Sequence, residues 1–167
     1  REIEFEELYA EVREKLLKVF GVDQEKYSPI VIGGSGTAAM ESVLSSMVHK
    51  GRKMLVINNG AFGDRISEIC DVYRIPAVNT NYQWGEYPKL GGIERLLLQD
   101  KNIEAVSMVF METSTGMVNP VQEIGELCKK YGKMFAVDAI SGLAGDFLDI
   151  EESGVDFCVS NTNKGIS

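Results

Sequence analysis

The chain has 167 residues, of which 44% are hydrophobic, enough to bury the core of one domain. Its 25 acidic residues outnumber its 17 lysines and arginines, and the net charge of −8 disfavours nucleic acid or an anionic membrane as a partner. The single histidine, His49, excludes most Ser-His-Asp, Cys-His and poly-histidine metal chemistries. A small metabolite is the expected ligand.

Two further features of the sequence concern localisation and the state of the cysteines. No apolar run approaches the roughly 20 residues that cross a bilayer, and residues 1–7 are acidic where a signal peptide is basic. The three cysteines, Cys70, Cys128 and Cys158, lie at wide spacings within apolar segments, which favours buried thiols over disulfides or a zinc site. We therefore expect a cytoplasmic protein without a bound metal.

The first elements in chain order are a helix, a strand and a second helix. Apolar residues at helical spacing predict an amphipathic surface helix over 5–20, which Gly21 ends. Residues 27–32 are interpreted as a short strand despite Pro29, whose ring fits an edge or the start of a strand. A segment rich in glycine and hydroxyls, residues 33–37, then leads into a helix with an apolar stripe from Met40 to Val48.

Strands and helices alternate through the rest of the chain. Strands are predicted at 53–58, 75–80, 105–111, 134–137 and 155–159, and helices with apolar stripes at 66–73, 91–98 and 121–131. This alternation predicts an α/β fold with three layers, α/β/α, around a mostly parallel sheet. The carboxyl ends of parallel strands meet at one edge, where such sheets bind ligands.

Two turns at that edge have binding chemistry. Ser35, Gly36 and Thr37, with the free N–H groups of a first helical turn, form a cup for an anion such as phosphate, or else an ordinary helix cap. Phe62, between glycines after a strand, either presents a flat face to a planar ligand or packs against the next helix.

Two more turns carry ionisable groups. Asp138 follows a very apolar strand, where an aspartate is costly to bury without a partner, and its alternative role is to cap the turn. Alternation places Asp138 and Ile140 on the same side. Lys164 stands just past the last strand, where it is either a functional amine or a solvated surface charge. The turn that contains Thr113 and Thr115 also follows a strand, and five such features at one edge favour a shared ligand.

Five strings carry a resemblance to a known family. They are Gly-Ser-Gly-Thr at 34–37, Asn-Gly-Ala-Phe-Gly at 59–63, Glu-Thr-Ser-Thr-Gly-Met-Val-Asn-Pro at 112–120, Val-Asp-Ala-Ile-Ser at 137–141 and Ser-Asn-Thr-Asn-Lys at 160–164. In this order they resemble the fold-type I aminotransferases of class V, which use pyridoxal 5′-phosphate. Within that class the chain is most similar to the group that moves the amino group of 2-aminoethylphosphonate to pyruvate, yielding phosphonoacetaldehyde and L-alanine.

The resemblance implies a role for each strand-end residue. Ser35, Gly36 and Thr37 would bind the cofactor phosphate, while Phe62 and Ile140 would press on opposite faces of its ring. These five residues would therefore enclose the cofactor.

The remaining roles concern the polar atoms of the cofactor. Thr113, with Thr115 as the second candidate, would donate to the phenolic oxygen, and Asp138 would pair with the ring nitrogen. Asn163 would lie beside Lys164, the residue that the resemblance makes the covalent attachment point.

The resemblance also implies what surrounds this segment. Residues 1–167 would be the cofactor-binding large domain, with an amino-terminal segment and a small carboxyl-terminal domain, which carries a substrate-binding arginine, lying outside it. A homodimer is expected by analogy. The alternatives are a class V enzyme of the alanine:glyoxylate or serine type, a nucleotide-binding α/β module, and a catalytically silent α/β fragment.

Overall fold

The computed structural model describes residues 2–166, so Arg1 and Ser167, the two ends of the expected domain, lie outside the described residues. The helices are α1 (Glu2–Phe20), α2 (Gly36–Met47), α3 (Ala61–Val72), α4 (Leu90–Gln99) and α5 (Val121–Tyr131). The strands are β1 (Lys53–Asn58), β2 (Ala77–Asn81), β3 (Ile103–Val109), β4 (Met111–Glu112), β5 (Met117–Val118), β6 (Met134–Asp138) and β7 (Phe157–Val159).

The main sheet confirms the expected α/β class. Its five strands run in the order β2-β1-β3-β6-β7, and every neighbouring pair is parallel. The register brings Asn58 opposite Asn81 and brings Asp138 opposite both Val109 and Val159. The strand ends therefore form one continuous edge. Among the strand pairs of residues 2–166, only the short β4–β5 pair is antiparallel.

Alternating side chains divide the core into two layers, one on each face of the sheet. One buried cluster joins Leu55, Ile57, Val106, Met108, Phe135 and Val137 to α4 and α5. The other joins Met54, Val56, Ala105, Val109 and Ala136 to α2 and α3. Successive strand residues point to opposite faces, so each helix pair covers its own face and the expected three layers are confirmed.

The predicted strand over 27–32 is wrong. Residues 28–32 belong to no strand, and Ile30 is 83% exposed. The apolar residues have no neighbouring strand to complete a hydrogen-bond ladder, and Pro29 has no N–H to donate. The segment is instead anchored at its start, where the Tyr27 hydroxyl donates to the carbonyl of Val155 at 2.9 Å.

The amino-terminal helix is present as predicted, but it lies against little of the domain. None of the residues of α1 is buried, and Ile3, Phe5 and Leu8 are exposed on it. Within residues 2–166, no helix is long and apolar enough to cross a membrane.

The three cysteines are free thiols, with Cys70 and Cys128 buried and Cys158 half-buried. Burial raises the pKa of Cys70 to about 11 and raises the pKa of Cys128 and Cys158 to about 12. A thiol with so high a pKa is protonated and unreactive at neutral pH, so these cysteines act as core residues.

Gly125 allows helix α5 to approach the chain before β7, which yields a stability prediction. A Cβ atom at Gly125 would lie 1.6 Å from the carbonyl oxygen of Ser153, a backbone atom that cannot move alone. We expect Gly125→Ala to lower the free energy of unfolding by about 3 kcal/mol, measured by urea denaturation.

A second helical glycine supplies the control. A Cβ atom at Gly91 in α4 would meet nothing within 4 Å. Gly91→Ala should therefore raise the free energy of unfolding by about 0.5 kcal/mol, because alanine restricts the unfolded chain. Equal effects of the two substitutions would contradict the close approach at Gly125.

Candidate active site

Asp138 is the carboxylate at the centre of the strand-end edge. It is the last residue of β6 and is 7% exposed. Its Oδ1 accepts a hydrogen bond from the backbone N–H of Ile140 at 3.0 Å. Burial raises its pKa to about 6, with a smaller increase from the charge of Glu112, while the Ile140 hydrogen bond acts in the opposite direction. This carboxylate is costly to ionise alone and would be stabilised by a cationic or N–H partner.

The amino terminus of α2 lies next to Ile140. Ser35 is the N-cap, and its Oγ accepts from the N–H of Ala38 at 3.2 Å, so the ordinary cap interpretation is correct as far as it goes. A Cβ atom at Gly36 would lie 2.5 Å from Cδ1 of Ile140 and 2.9 Å from Nδ2 of Asn161. The first turn of α2 is thus packed directly against the loops that follow β6 and β7.

The position of α2 does not depend on the strand that the sequence predicted over 27–32, before the glycine-rich segment. Met40 and Leu44 of α2 pack in the same buried cluster as Ala136 and Val159. The helix is therefore held on the sheet face over β6 and β7, and its amino terminus lies at the carboxyl edge. The first N–H groups of a helix lack intrahelical partners and attract anions, so the cup has the chemistry of a phosphate site.

Phe62 is the second residue of α3 and is 45% exposed. It belongs to neither buried cluster of the core. This exposure favours a ring that faces a ligand over one that packs against the sheet.

The two candidate threonines have different surroundings. The Thr113 hydroxyl donates to Oγ of Ser141 at 2.7 Å, and Ser141 donates to the carbonyl of Met111 at 3.0 Å. Thr115 donates at 3.2 Å to the carbonyl of Glu112, within its own turn. Thr113 is therefore tied to the loop that follows Asp138, while Thr115 bonds within its own turn.

Asn163 and Lys164 lie beyond β7 in the turn over residues 162–166, and both side chains are exposed. A Cβ atom at Gly165 would lie 2.2 Å from the carbonyl oxygen of Leu143, so this turn packs against the loop after β6. The described contacts thus join the lysine-bearing turn to the Asp138 loop through Gly165.

Three residues of this region were not predicted from the sequence as part of the site: Glu112, Ser141 and Asn161. Glu112 and Ser141 stand inside the motif strings, yet nothing in the local pattern shows that their side chains contact Phe62 and Thr113. The Asn161 amide oxygen is buried without a hydrogen-bond partner, which only the packing reveals.

Comparison with known proteins identifies the family. The model of the aminotransferase class-V family matches residues 1–167. A bifunctional phosphonoacetaldehyde hydrolase/aminoethylphosphonate transaminase of Clostridioides difficile (strain 630) is 39% identical over 99% of the chain, and a 2-aminoethylphosphonate–pyruvate transaminase of Bacillus cereus (strain AH820) is 36% identical over the same share. The chain belongs to the class-V aminotransferase family. It spans 26% and 45% of the lengths of these two relatives.

A solved aminotransferase shares the fold. The alanine–glyoxylate aminotransferase of Nostoc sp. superimposes with a TM-score of 0.82 and 29% identity, over 92% of this chain and 40% of that one. The expected aminotransferase-like fold is thereby confirmed.

The residues of this class V chain fit pyridoxal phosphate. The cofactor carries a phosphate, a planar ring and a basic ring nitrogen. The cup at Gly36 suits the first, the exposed Phe62 suits the second, and the buried Asp138 with its raised pKa suits the third. The Asn161 amide nitrogen also borders the cup, 2.9 Å from a Cβ atom placed at Gly36.

Proposed function

We propose that residues 1–167 are the large, cofactor-binding domain of a pyridoxal-phosphate aminotransferase that moves the amino group of 2-aminoethylphosphonate to pyruvate. The products are phosphonoacetaldehyde and L-alanine. The observation that carries the proposal is the buried Asp138 at the end of β6, next to the loop that packs on the amino terminus of α2. The names of the two relatives support the amine donor and the 2-oxo acid acceptor.

The first group of residues binds and orients the cofactor. Ser35, Gly36 and Thr37 hold its phosphate at the helix terminus, where N–H groups and the helix dipole favour negative charge. Phe62 would lie against one face of the ring, and Ile140, which contacts the cup, would lie against the other. Contacts on both faces would exclude water from the ring.

The second group acts on charge and protons. Pyridoxal phosphate supplies an electron sink when bound. The Asp138 carboxylate would keep the ring nitrogen protonated, and the Thr113 hydroxyl would donate its one proton to the phenolic oxygen instead of to Oγ of Ser141. Lys164 would hold the cofactor covalently, and its Nζ would also be the base that takes a proton from the substrate carbon, with Asn163 beside it.

An enzyme of the alanine:glyoxylate or serine type is the second candidate. The Nostoc neighbour, 29% identical, favours it because it shares the same large-domain fold. Both candidates use the same cofactor residues, so the segment that binds the substrate distinguishes them.

The proposal includes a cytoplasmic homodimer. Three free thiols are typical of a reducing compartment. Phe5, Leu8 and Val12 of α1 are exposed apolar residues at helical spacing, so they form a surface that is suited to burial against a partner.

Absorbance spectroscopy with the full-length protein tests the cofactor assignment. Addition of pyridoxal phosphate should produce a visible band, and borohydride should remove it and leave the cofactor attached to the peptide that contains Lys164. A protein that shows no band would contradict the whole proposal.

A substrate assay then distinguishes the two candidates. We expect pyruvate-dependent loss of 2-aminoethylphosphonate, with little formation of glycine from alanine and glyoxylate. The reverse preference would select the second candidate while leaving the cofactor assignment intact.

A further inference from the structure

Glu112 is a fully buried acid that the proposed chemistry does not use. It is the last residue of β4, with 0% of its surface exposed. An ionised carboxylate survives burial only where hydrogen bonds replace its water. The contacts of its two oxygens therefore show what the residue does.

Those contacts are with the first turn of helix α3. The N–H of Phe62 donates to Oε2 at 3.2 Å and to Oε1 at 3.3 Å, and the N–H of Gly63 donates to Oε2 at 3.2 Å. The Ser114 hydroxyl donates to Oε1 at 2.6 Å and accepts from the N–H of Ala61 at 3.0 Å. Glu112 and Ser114 together bind the first three N–H groups of α3.

This arrangement replaces the cap that α3 lacks in its own sequence. Gly60 is the N-cap and has no side chain to offer. A Cβ atom at Gly60 would lie 2.3 Å from Cγ of Glu112, so the acid fills the space that a capping side chain would occupy. A negative charge at a helix amino terminus is also favoured by the helix dipole.

We propose that Glu112 is a positioning residue, whose carboxylate fixes the first turn of α3 so that the exposed Phe62 ring is held against the cofactor ring. The inference rests on the proposed function, since it requires Phe62 to contact pyridoxal phosphate. An exposed aromatic on an unanchored helix end loses rotational and backbone freedom when it stacks, and that loss weakens binding. Glu112 removes this cost by ordering the turn beforehand.

A double-mutant cycle with the full-length protein tests the coupling. The dissociation constant of pyridoxal phosphate is measured by titrating the cofactor-free protein carrying Phe62→Ala, Glu112→Ala or both. We expect each single substitution to weaken binding by about tenfold, the size typical of one lost stacking contact. The double variant should bind no more weakly than Phe62→Ala alone, because Glu112 acts through that ring.

Two further variants separate positioning from general stability. Glu123→Ala removes an exposed acid from the first turn of α5, which packs on the opposite face of the sheet from α2 and α3, and should leave binding unchanged. Glu112→Gln keeps one acceptor oxygen and should fall between the wild type and Glu112→Ala. It also keeps the test available if the alanine variant does not fold. In the cofactor-free protein, amide exchange of residues 61–63 should accelerate in the Glu112 variants.

Multiplying effects in the double variant would overturn the inference, because Glu112 would then act independently of Phe62. Unchanged amide exchange at residues 61–63 would overturn it as well. A wild-type protein that binds no pyridoxal phosphate would overturn the proposed function itself, and with it this inference, before any substitution is made.

Discussion

Replacing Lys164 with alanine is expected to abolish covalent attachment of pyridoxal phosphate and to lower the transamination rate by at least about 10²- to 10⁴-fold. The lower bound is the usual contribution of a positioned acid–base group. No other residue of the candidate site carries an amine, so another side chain cannot replace Lys164 as the attachment point. The phosphate cup and Asp138 remain, so the cofactor should still bind, without a covalent bond.

Two control variants make this result specific. Lys164→Arg keeps the positive charge but cannot attach the cofactor, so it should be as inactive as the alanine variant. Lys101→Ala removes another exposed lysine, at the turn before β3, and should leave the rate unchanged. Rates come from the pyruvate-dependent assay, and attachment comes from mass spectrometry after borohydride. An active Lys164→Ala variant would remove the lysine from the mechanism.

Replacing Asp138 with asparagine is expected to lower the cofactor-dependent activity and to raise the stability of the cofactor-free protein. Asparagine cannot keep the ring nitrogen protonated, and loss of one such electrostatic contact costs about 10²- to 10³-fold in rate. The ionised Asp138 is also unfavourable in its buried site. Its removal should therefore stabilise the folded chain when no cofactor is present.

The pH dependence of stability follows from the direction of the Asp138 pKa change. The pKa rises from an ordinary value of 3.8 to about 6 in the folded protein. The contribution of the protonated Asp138 side chain to the stability of the folded protein is thus fully present below about pH 4 and is lost as the pH rises to about 6. The difference between the two pKa values corresponds to about 3 kcal/mol, the expected gain in Asp138→Asn at pH 7.

Urea denaturation of the cofactor-free protein between pH 4 and pH 8 measures this difference. Asp71→Asn is the matched control, since Asp71 is exposed on α3 and the substitution should change neither stability nor activity. A wild type and an Asp138→Asn variant of equal stability at pH 7 would show that the Asp138 carboxylate is already compensated.

The local sequence pattern was sufficient to predict the bounds of those elements whose apolar residues are buried or half-buried along their whole length. The apolar stripe over 121–131 gave the same bounds as α5, and the apolar run over 53–58 gave those of β1. The strand predicted over 27–32 was wrong, because an apolar run becomes a strand only when a neighbouring strand completes its hydrogen bonds. The run over 105–111 was likewise divided, because β3 ends at Val109 and the carbonyl of Phe110 accepts from the N–H of Asn119 instead of from the main sheet.

The candidate site residues were likewise predictable from the sequence only in part. Asp138 and Phe62 could be singled out because each follows a strand, and strand ends of a parallel sheet converge at one edge. The pKa of Asp138 could not be predicted, because it depends on how much water the neighbouring elements exclude. The role of Glu112 was hidden because its partners, Phe62 and Gly63, lie about fifty residues away in sequence.

Periodicity and short motifs are properties of neighbouring residues, and they were enough to predict the α/β class, the family and the strand-end residues. The packing of the folded chain was needed to show that the α2 cup contacts Ile140 and Asn161, that Asp138 is buried enough to raise its pKa, and that Glu112 caps α3. Burial and hydrogen-bond partners arise between segments distant in sequence, and no local pattern encodes which segments will meet.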